Sequence, residues 1–281
     1  MGPEACCAAS PVKRTETPDV IATMTSKSCW KQYWDEKNTS TASDYQVDRG
    51  TRPRDTKIES LSNEELLAFI AAEPSDVVFE AGCGTGVNIL LLQPIVRRII
   101  AMDYSEAAVA RCQKRLALSN IHNVEVFQGD ITSIPFPDRT VDRILCMSVL
   151  QYVDDAQLRA AFREFARILK KDGTLVLHVK NLASLYLSTL WLVKRLLLAL
   201  RRNTKLEHFR TFNQYVCELR RAGFHVSKYR SLNVLILERM PRKLVLWLQK
   251  FELSHQNQVP FSSAFLRRHG PDLKIQAQLQ K

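Results

Sequence analysis

Val77-Val78-Phe79-Glu80-Ala81-Gly82-Cys83-Gly84-Thr85-Gly86 decides how this chain of 281 residues folds. A short apolar run closing on an acid has the pattern of a parallel strand buried on both faces. Glycine then stands at 82, 84 and 86, and an apolar helical pattern runs from Val87 to Leu92. In an α/β sheet, a strand–turn–helix of this kind brings bare backbone up to a nucleotide-like ligand at the carboxyl ends of the strands. A Cβ there would obstruct both the reversal of the chain and the approach of the ligand. The spacing discriminates among glycine-rich turns. A dinucleotide fingerprint starting at Gly82 requires glycine at 87, where this chain has Val87, and a phosphate-cradling P-loop requires a Gly-Lys pair that is absent here.

Downstream, the apolar periodicity switches repeatedly between that of strands and that of helices. Residues 97–103 read as a second strand ending in Asp103, and Ser105 is placed to cap a helix over 106–119 whose first residue is Glu106. Residues 123–128 make a third strand that runs into Gly129-Asp130-Ile131, and 141–147 a fourth that runs into Ser148-Val149-Leu150-Gln151-Tyr152-Val153. A strongly amphipathic helix over 155–169 stops at Lys171-Asp172-Gly173, and 174–179 is the fifth strand. A helix over 211–221, a sixth strand over 224–230 and a clean alternation over 272–279 complete the pattern, the last as a half-exposed antiparallel strand. These elements predict an α/β, Rossmann-like, doubly wound sheet of seven strands, the last two forming an antiparallel edge pair, with helical insertions in the C-terminal third.

The acid-x-Gly-x-Gly-x-Gly order after the first strand, followed by Asp103 and Asp130, resembles the class I S-adenosylmethionine methyltransferases over about residues 60–180. The resemblance implies S-adenosylmethionine as the cofactor. Glu80 and the backbone of Gly82, Cys83, Gly84 and Gly86 would hold its methionine moiety, and Asp103 its ribose. Asp130 would receive the adenine amino group, and Ile131 would pack on the ring. Tyr104 and Met147 are the remaining cofactor-contacting positions that it implies. The segment Ser148 to Val153 resembles the small-molecule methyltransferases of the ubiquinone-biosynthesis type, and the Asn/Asp-Pro-Pro-aromatic signature of many nucleic-acid enzymes is absent. Relatives often carry His where this chain has Gln151, so no base carries over to that position. The implied reaction is methyl transfer to oxygen or carbon of a small-molecule or lipid-linked acceptor. An RNA methyltransferase and a non-catalytic S-adenosylmethionine-binding protein are the alternative readings. A hydroxyl acceptor needs a base, and His178, at the end of the fifth strand, is the first candidate, with His208 and Tyr152 after it. Trp30-Lys31-Gln32-Tyr33-Trp34-Asp35 reads as a short packed helix; in the family resembled such an arm often closes over the cofactor, which makes Tyr33 a candidate wall of the site. No His/Asp cluster has the spacing of a metal site.

Composition divides the chain. Residues 1–27, rich in Ala, Thr, Pro and Ser, read as a disordered tail. Residues 28–75 form an arm and a helix, 76–180 the cofactor-binding core, 181–210 an apolar and basic lid or membrane-interface helix, and 211–281 the completion of the sheet. Seven scattered cysteines, several on expected core elements, suggest reduced thiols and a cytoplasmic setting. Residues 181–281 hold 18 Lys and Arg against 5 Asp and Glu, whereas residues 1–180 hold 22 against 24. The net charge of +11 therefore comes entirely from the last third, beside the Leu- and Trp-bearing stretches 185–200 and 244–251. Lys194-Arg195 in the middle of the first stretch argues against a membrane span. An interfacial helix on an anionic membrane surface, and a lid over the acceptor chamber, remain as readings of it.

Overall fold

A computed structural model describes residues 27–40, 42–43, 47, 56–184, 187–189, 191–193, 207–232, 247 and 272–280. The stretch 1–26 of the expected tail and most of the stretches 185–200 and 244–251 lie outside these residues. The elements in chain order are α1 (Lys27–Thr39), α2 (Thr56–Ile70), β1 (Val77–Ala81), α3 (Val87–Leu92), β2 (Arg98–Asp103), α4 (Glu106–Leu118), β3 (Val124–Gln128), β4 (Val141–Met147), α5 (Asp155–Ile168), β5 (Leu169–Lys180), α6 (Phe212–Arg221), β6 (Phe224–Leu232) and β7 (Asp272–Leu279).

The seven strands form one sheet in the order β3-β2-β1-β4-β5-β7-β6. β1 to β5 pair in parallel, and β7 enters antiparallel between β5 and β6. The connections wind one way from β1 to β3 and the other way from β4 onward. The reversal lies between β1 and β4, and a crevice outside the carboxyl ends of the strands opens at such a point.

All five residues of β1 are buried, as a central parallel strand requires. Phe79 and Ala81 face a core shared with Phe162, Phe165 and Leu219 of α5 and α6. Val78 faces the opposite core with Phe69, Ile89 and Cys112 of α2, α3 and α4. The alternation follows directly from the two-residue period of a strand.

Helix ends follow local chemistry. Ser105 caps α4 by accepting from the Ala108 N–H, and Asp154 with Gln157 closes a capping box on α5. Thr211 and Gln214 do the same for α6. The predicted stop at Lys171-Asp172-Gly173 acts otherwise. Helix α5 ends at Ile168, Leu169 is already extended, and 170–173 belong to β5 as an irregularity, the register to β4 jumping from Val141↔Leu169 to Arg143↔Thr174. Gly173 is needed there for space, since a Cβ would lie 2.8 Å from the Asp142 carbonyl oxygen and 2.7 Å from the Leu169 side chain.

The turns after β1 and β4 lie against each other. A Cβ on Gly82 would stand 2.1 Å from Val149 Cγ2, and Gly82 has φ +79°, where only glycine is unstrained. Gly82→Ala should therefore destabilise the chain by about 2 kcal/mol or more, from overpacking and left-handed strain together. Urea denaturation measures this, and adding Val149→Ala should recover the overpacking share but not the backbone share.

Candidate active site

The carboxyl ends of β1 to β5 bring the sequence-predicted residues together. The Gly84 N–H donates to Asp103 Oδ2 (2.9 Å) and the Ser105 N–H to Asp103 Oδ1 (2.9 Å), so the acid ending β2 holds the glycine turn of β1 and the start of α4. The Gly82 and Cys83 amides donate to the Met102 carbonyl at 2.7 and 3.0 Å. Glu80 is fully buried and accepts from Asn88 Nδ2 at 2.8 Å, tying β1 to α3. Gly84 and Gly86 also have positive φ, +54° and +85°. Cys83 is buried, and a hydrogen bond with Cys112, reinforced by burial, pushes its thiol up, so it is a neutral packing group.

Asp130 follows β3 and is half-buried. Its Oδ1 accepts from the Thr132 N–H (2.9 Å) and hydroxyl (2.8 Å), and its Oδ2 pairs with Lys27 Nζ at 2.5 Å. Burial opposes its charge, but Lys27 and Thr132 outweigh it and hold the carboxyl below its usual range. Ile131 is buried beside it, and Tyr104 is exposed.

Helix α1 closes one side of this rim. Lys27 reaches Asp130 from its first turn. Trp30 and Trp34 both meet Tyr152, with ring centroids 4.7 and 5.5 Å apart, and Tyr33 packs edge-on against both tryptophans. At the next turn Asp35 Oδ1 accepts from the Ser105 hydroxyl at 2.6 Å. Arg111 of α4 donates to the carbonyls of Asn38, Ser40 and Ala42. The expected arm therefore spans the mouth from the end of β3 to the start of α4. Burial raises the Tyr152 phenol well above its ordinary value, which makes it a donor rather than a base at neutral pH.

Met147 ends β4 and stands in register with His178 on β5. His178 Nδ1 lies 2.7 Å from Ser148 Oγ, and its Nε2 lies 3.5 Å from Asp272 Oδ1. Asp272, the first residue of β7, also pairs with Lys180 Nζ at 2.6 Å. Burial lowers the affinity of His178 for a proton more than Asp272 raises it, so the imidazole is held below its ordinary value and is neutral at neutral pH. The other predicted base, His208, is held beside the turn after β4 by its backbone, whose amide N–H donates to the Gln151 carbonyl at 2.7 Å. Arg210, almost fully buried, donates to the carbonyls of Leu150 (3.0 Å), Val153 (2.8 Å) and His208 (3.1 Å) and pairs with Asp155. It clamps the segment after β4 in place. Arg210, Asp272, Lys27 and Asp35 carry no local sequence signal, because each finds its site partner 55 to 103 residues away. Among the described residues no group of His, Cys, Asp and Glu has the arrangement of a metal site.

Residues 78–173 match a family model described as a methyltransferase domain. A "Probable S-adenosylmethionine-dependent methyltransferase" of Mycobacterium tuberculosis is 37% identical over 105 residues, 37% of this chain and 35% of that protein. The chain thus spans about a third of the length of the first curated relatives it matches. The YcgJ protein of Bacillus subtilis, an uncharacterized methyltransferase, is 34% identical over 100 residues, 36% of this chain and 39% of that protein. Its crystal structure superposes with a TM-score of 0.51 at 19% identity, over 78% of this chain and 95% of that one. A phosphoethanolamine N-methyltransferase of Haemonchus contortus superposes with a TM-score of 0.61 at 14% identity, over 92% of this chain and 49% of that one. With the glycine turn and the two strand-end acids, these likenesses make residues 78–173, which form the larger part of the sheet, a match to the class I S-adenosylmethionine-dependent methyltransferase family.

Proposed function

We propose that the chain binds S-adenosylmethionine and transfers its methyl group to oxygen or carbon of a small-molecule or lipid-linked acceptor. The observation that carries this reading is the Asp103 carboxylate folded back on the Gly84 amide, which sets an acid beside bare left-handed backbone at the sheet's reversal point. The donor set fits the cofactor. Asp103 and Asp130 are half-buried acceptor-only groups, suited to a ribose diol and an adenine amino group. Gly82 and Gly86 close tightly on Val149 and Cys112, and the left-handed Gly84 turn between them would present bare backbone to the methionine moiety, with the Glu80, Cys83, Tyr104 and Met147 positions flanking it. When bound, S-adenosylmethionine supplies a methyl group already activated on a sulfonium. The protein's own task is then alignment of an in-line displacement and exclusion of water. The aromatic helix α1 supports that exclusion, since it brings Trp30 and Trp34 against Tyr152, with Tyr33 edge-on to both tryptophans. For an acceptor that carries a proton, His178, in register with Met147 at the end of β4, would offer a neutral imidazole.

Calorimetry with S-adenosylhomocysteine tests this reading. Wild-type protein should bind it, and Asp103→Ala and Asp130→Ala should each weaken binding by about 10-fold or more, the worth of a hydrogen bond to a charged group. Unchanged affinity in both variants refutes the assignment. Incubation of the protein with methyl-deuterated S-adenosylmethionine and a metabolite extract, followed by mass spectrometry, then identifies the acceptor.

A membrane-surface acceptor is favoured by one further observation: Leu192, Val193 and Trp247 are exposed within the basic last third. Apolar insertion together with attraction to anionic lipid is the usual pair of signals for peripheral attachment. No helix among the described residues is long and apolar enough to cross a membrane. Co-sedimentation with anionic vesicles should occur, weaken as salt rises, and fall further in a Leu192→Ala, Trp247→Ala double variant. Protein that stays in the supernatant with anionic and neutral vesicles at low salt is working on a soluble acceptor.

A further inference from the structure

Both ring nitrogens of His178 are committed, Nδ1 to the Ser148 hydroxyl at 2.7 Å and Nε2 toward the Asp272 carboxylate at 3.5 Å. An imidazole so held has no nitrogen left to meet a substrate. Its side chain is 21% exposed, while Ser148 sits half-exposed at the turn after β4. Val149, the next residue, is the one against which the Gly82 turn packs, so the serine stands beside the glycine turn at the reversal point of the sheet. Ser148 is also one of four described non-glycine residues with positive φ, at +61°. Serine has no special tolerance for that conformation, and strain of this kind persists where surrounding structure enforces it, often at functional sites. Here the Ser148 N–H donates to the His178 carbonyl at 2.8 Å, and Arg210 fixes the carbonyls of Leu150 and Val153 that follow.

We propose that Ser148, His178 and Asp272 form a proton relay for a hydroxyl-bearing acceptor, with Ser148 as the group that touches the acceptor. The proposal rests on the methyl-transfer reading and deepens it. The acceptor hydroxyl donates its proton to Ser148 Oγ as the serine's own proton passes to His178 Nδ1. The oxygen–methyl bond forms as the sulfur–methyl bond of the sulfonium breaks, and that bond's electron pair stays on sulfur. The proton ends on the imidazole, and the Asp272 carboxylate, itself steadied by Lys180, compensates the new charge. His178 thus acts through Ser148, and Asp272 is a positioning residue that fixes the ring with its proton on Nε2. The groups facing the imidazole are Ser148 after β4, Lys180 on β5, and Asp272 and Lys274 on β7.

Nitrogen-15 NMR of the full chain reads this without any acceptor. Neutral His178 should be the Nε2–H tautomer, titrating below the ordinary histidine value because of its burial, and Asp272→Asn should lower its titration point further, since the carboxylate favours the charged ring. The Nδ1–H tautomer, or a titration point unmoved by Asp272→Asn, overturns the relay. Ser148→Gly removes the hydroxyl at a position where glycine is unstrained, so its melting temperature should equal or exceed that of the wild type. Methyl transfer to 4-methoxyphenol, protonated at neutral pH, and to pentafluorophenol, ionised there, gives the kinetic readout. Ser148→Gly should slow transfer to the first on the order of 10²-fold, within the usual range for a positioned proton acceptor, and at least about tenfold more than transfer to the second. Equal losses with both phenols assign the serine a purely structural role and overturn the proposal. If neither phenol is methylated, the tautomer and the titration decide. Wild-type protein that fails to bind S-adenosylhomocysteine refutes the methyltransferase reading itself, whatever the state of His178.

Discussion

The Asp103 carboxylate, accepting from the amides of Gly84 and Ser105, is the contact on which the rest of the site depends. It joins the turn after β1 to the start of α4, beside the Gly82 and Cys83 amides that donate to the Met102 carbonyl. Ser105 passes the constraint outward. Its hydroxyl accepts from the Ala108 amide as the cap of α4 and donates to Asp35 of α1. One carboxylate thereby sets the glycine turn, a helix axis and the arm that covers the mouth. Oriented N–H dipoles meet both of its oxygens, an arrangement that stabilises an anion.

Most of the sheet was legible in the sequence because its signals are local. The β1 run, the glycines at 82, 84 and 86, the acids closing β2 and following β3, and the cap at Ser105 each act within a few residues of themselves. The strands 141–147 and 272–279 fell at the expected bounds, but 272–279, expected to be half-exposed, is buried from Asp272 to Ile275 because β7 lies between β5 and β6. Element ends were less legible. Helix α1 starts earlier than the Trp30–Asp35 pattern suggests, at Lys27, a residue the composition had assigned to the tail. β5 begins at Leu169 because that residue pairs with Val141 across the sheet, a partner no window of sequence contains.

The part of the site that was not legible is the part made by distant pairs. His178 was readable as a histidine at a strand end, but its two partners come from the turn after β4 and from β7. Arg210 was readable only as one charge of a basic segment, yet it is almost fully buried and satisfies the Leu150 and Val153 carbonyls after β4 as well as that of His208. Buried charge of this kind is retained only where its hydrogen bonds are met, and the sequence does not say where those acceptors are. The pairing of Lys27 with Asp130, across 103 residues, is of the same sort.

The position of β7 has a consequence for how the molecule is made. β5 pairs with β4 on one side and with β7 on the other, and Lys180 meets Asp272 across 92 residues of chain. During synthesis from the amino end, β5 is finished long before its second neighbour exists. Until 272–279 emerges, Leu175, Leu177 and Val179 lie on a strand whose outer row of backbone donors and acceptors is unpaired, a template for pairing with another chain. The same late strand delivers Asp272 to His178. Closing the sheet and completing the polar cluster at its rim are therefore one event, and a nascent chain lacking that strand has neither.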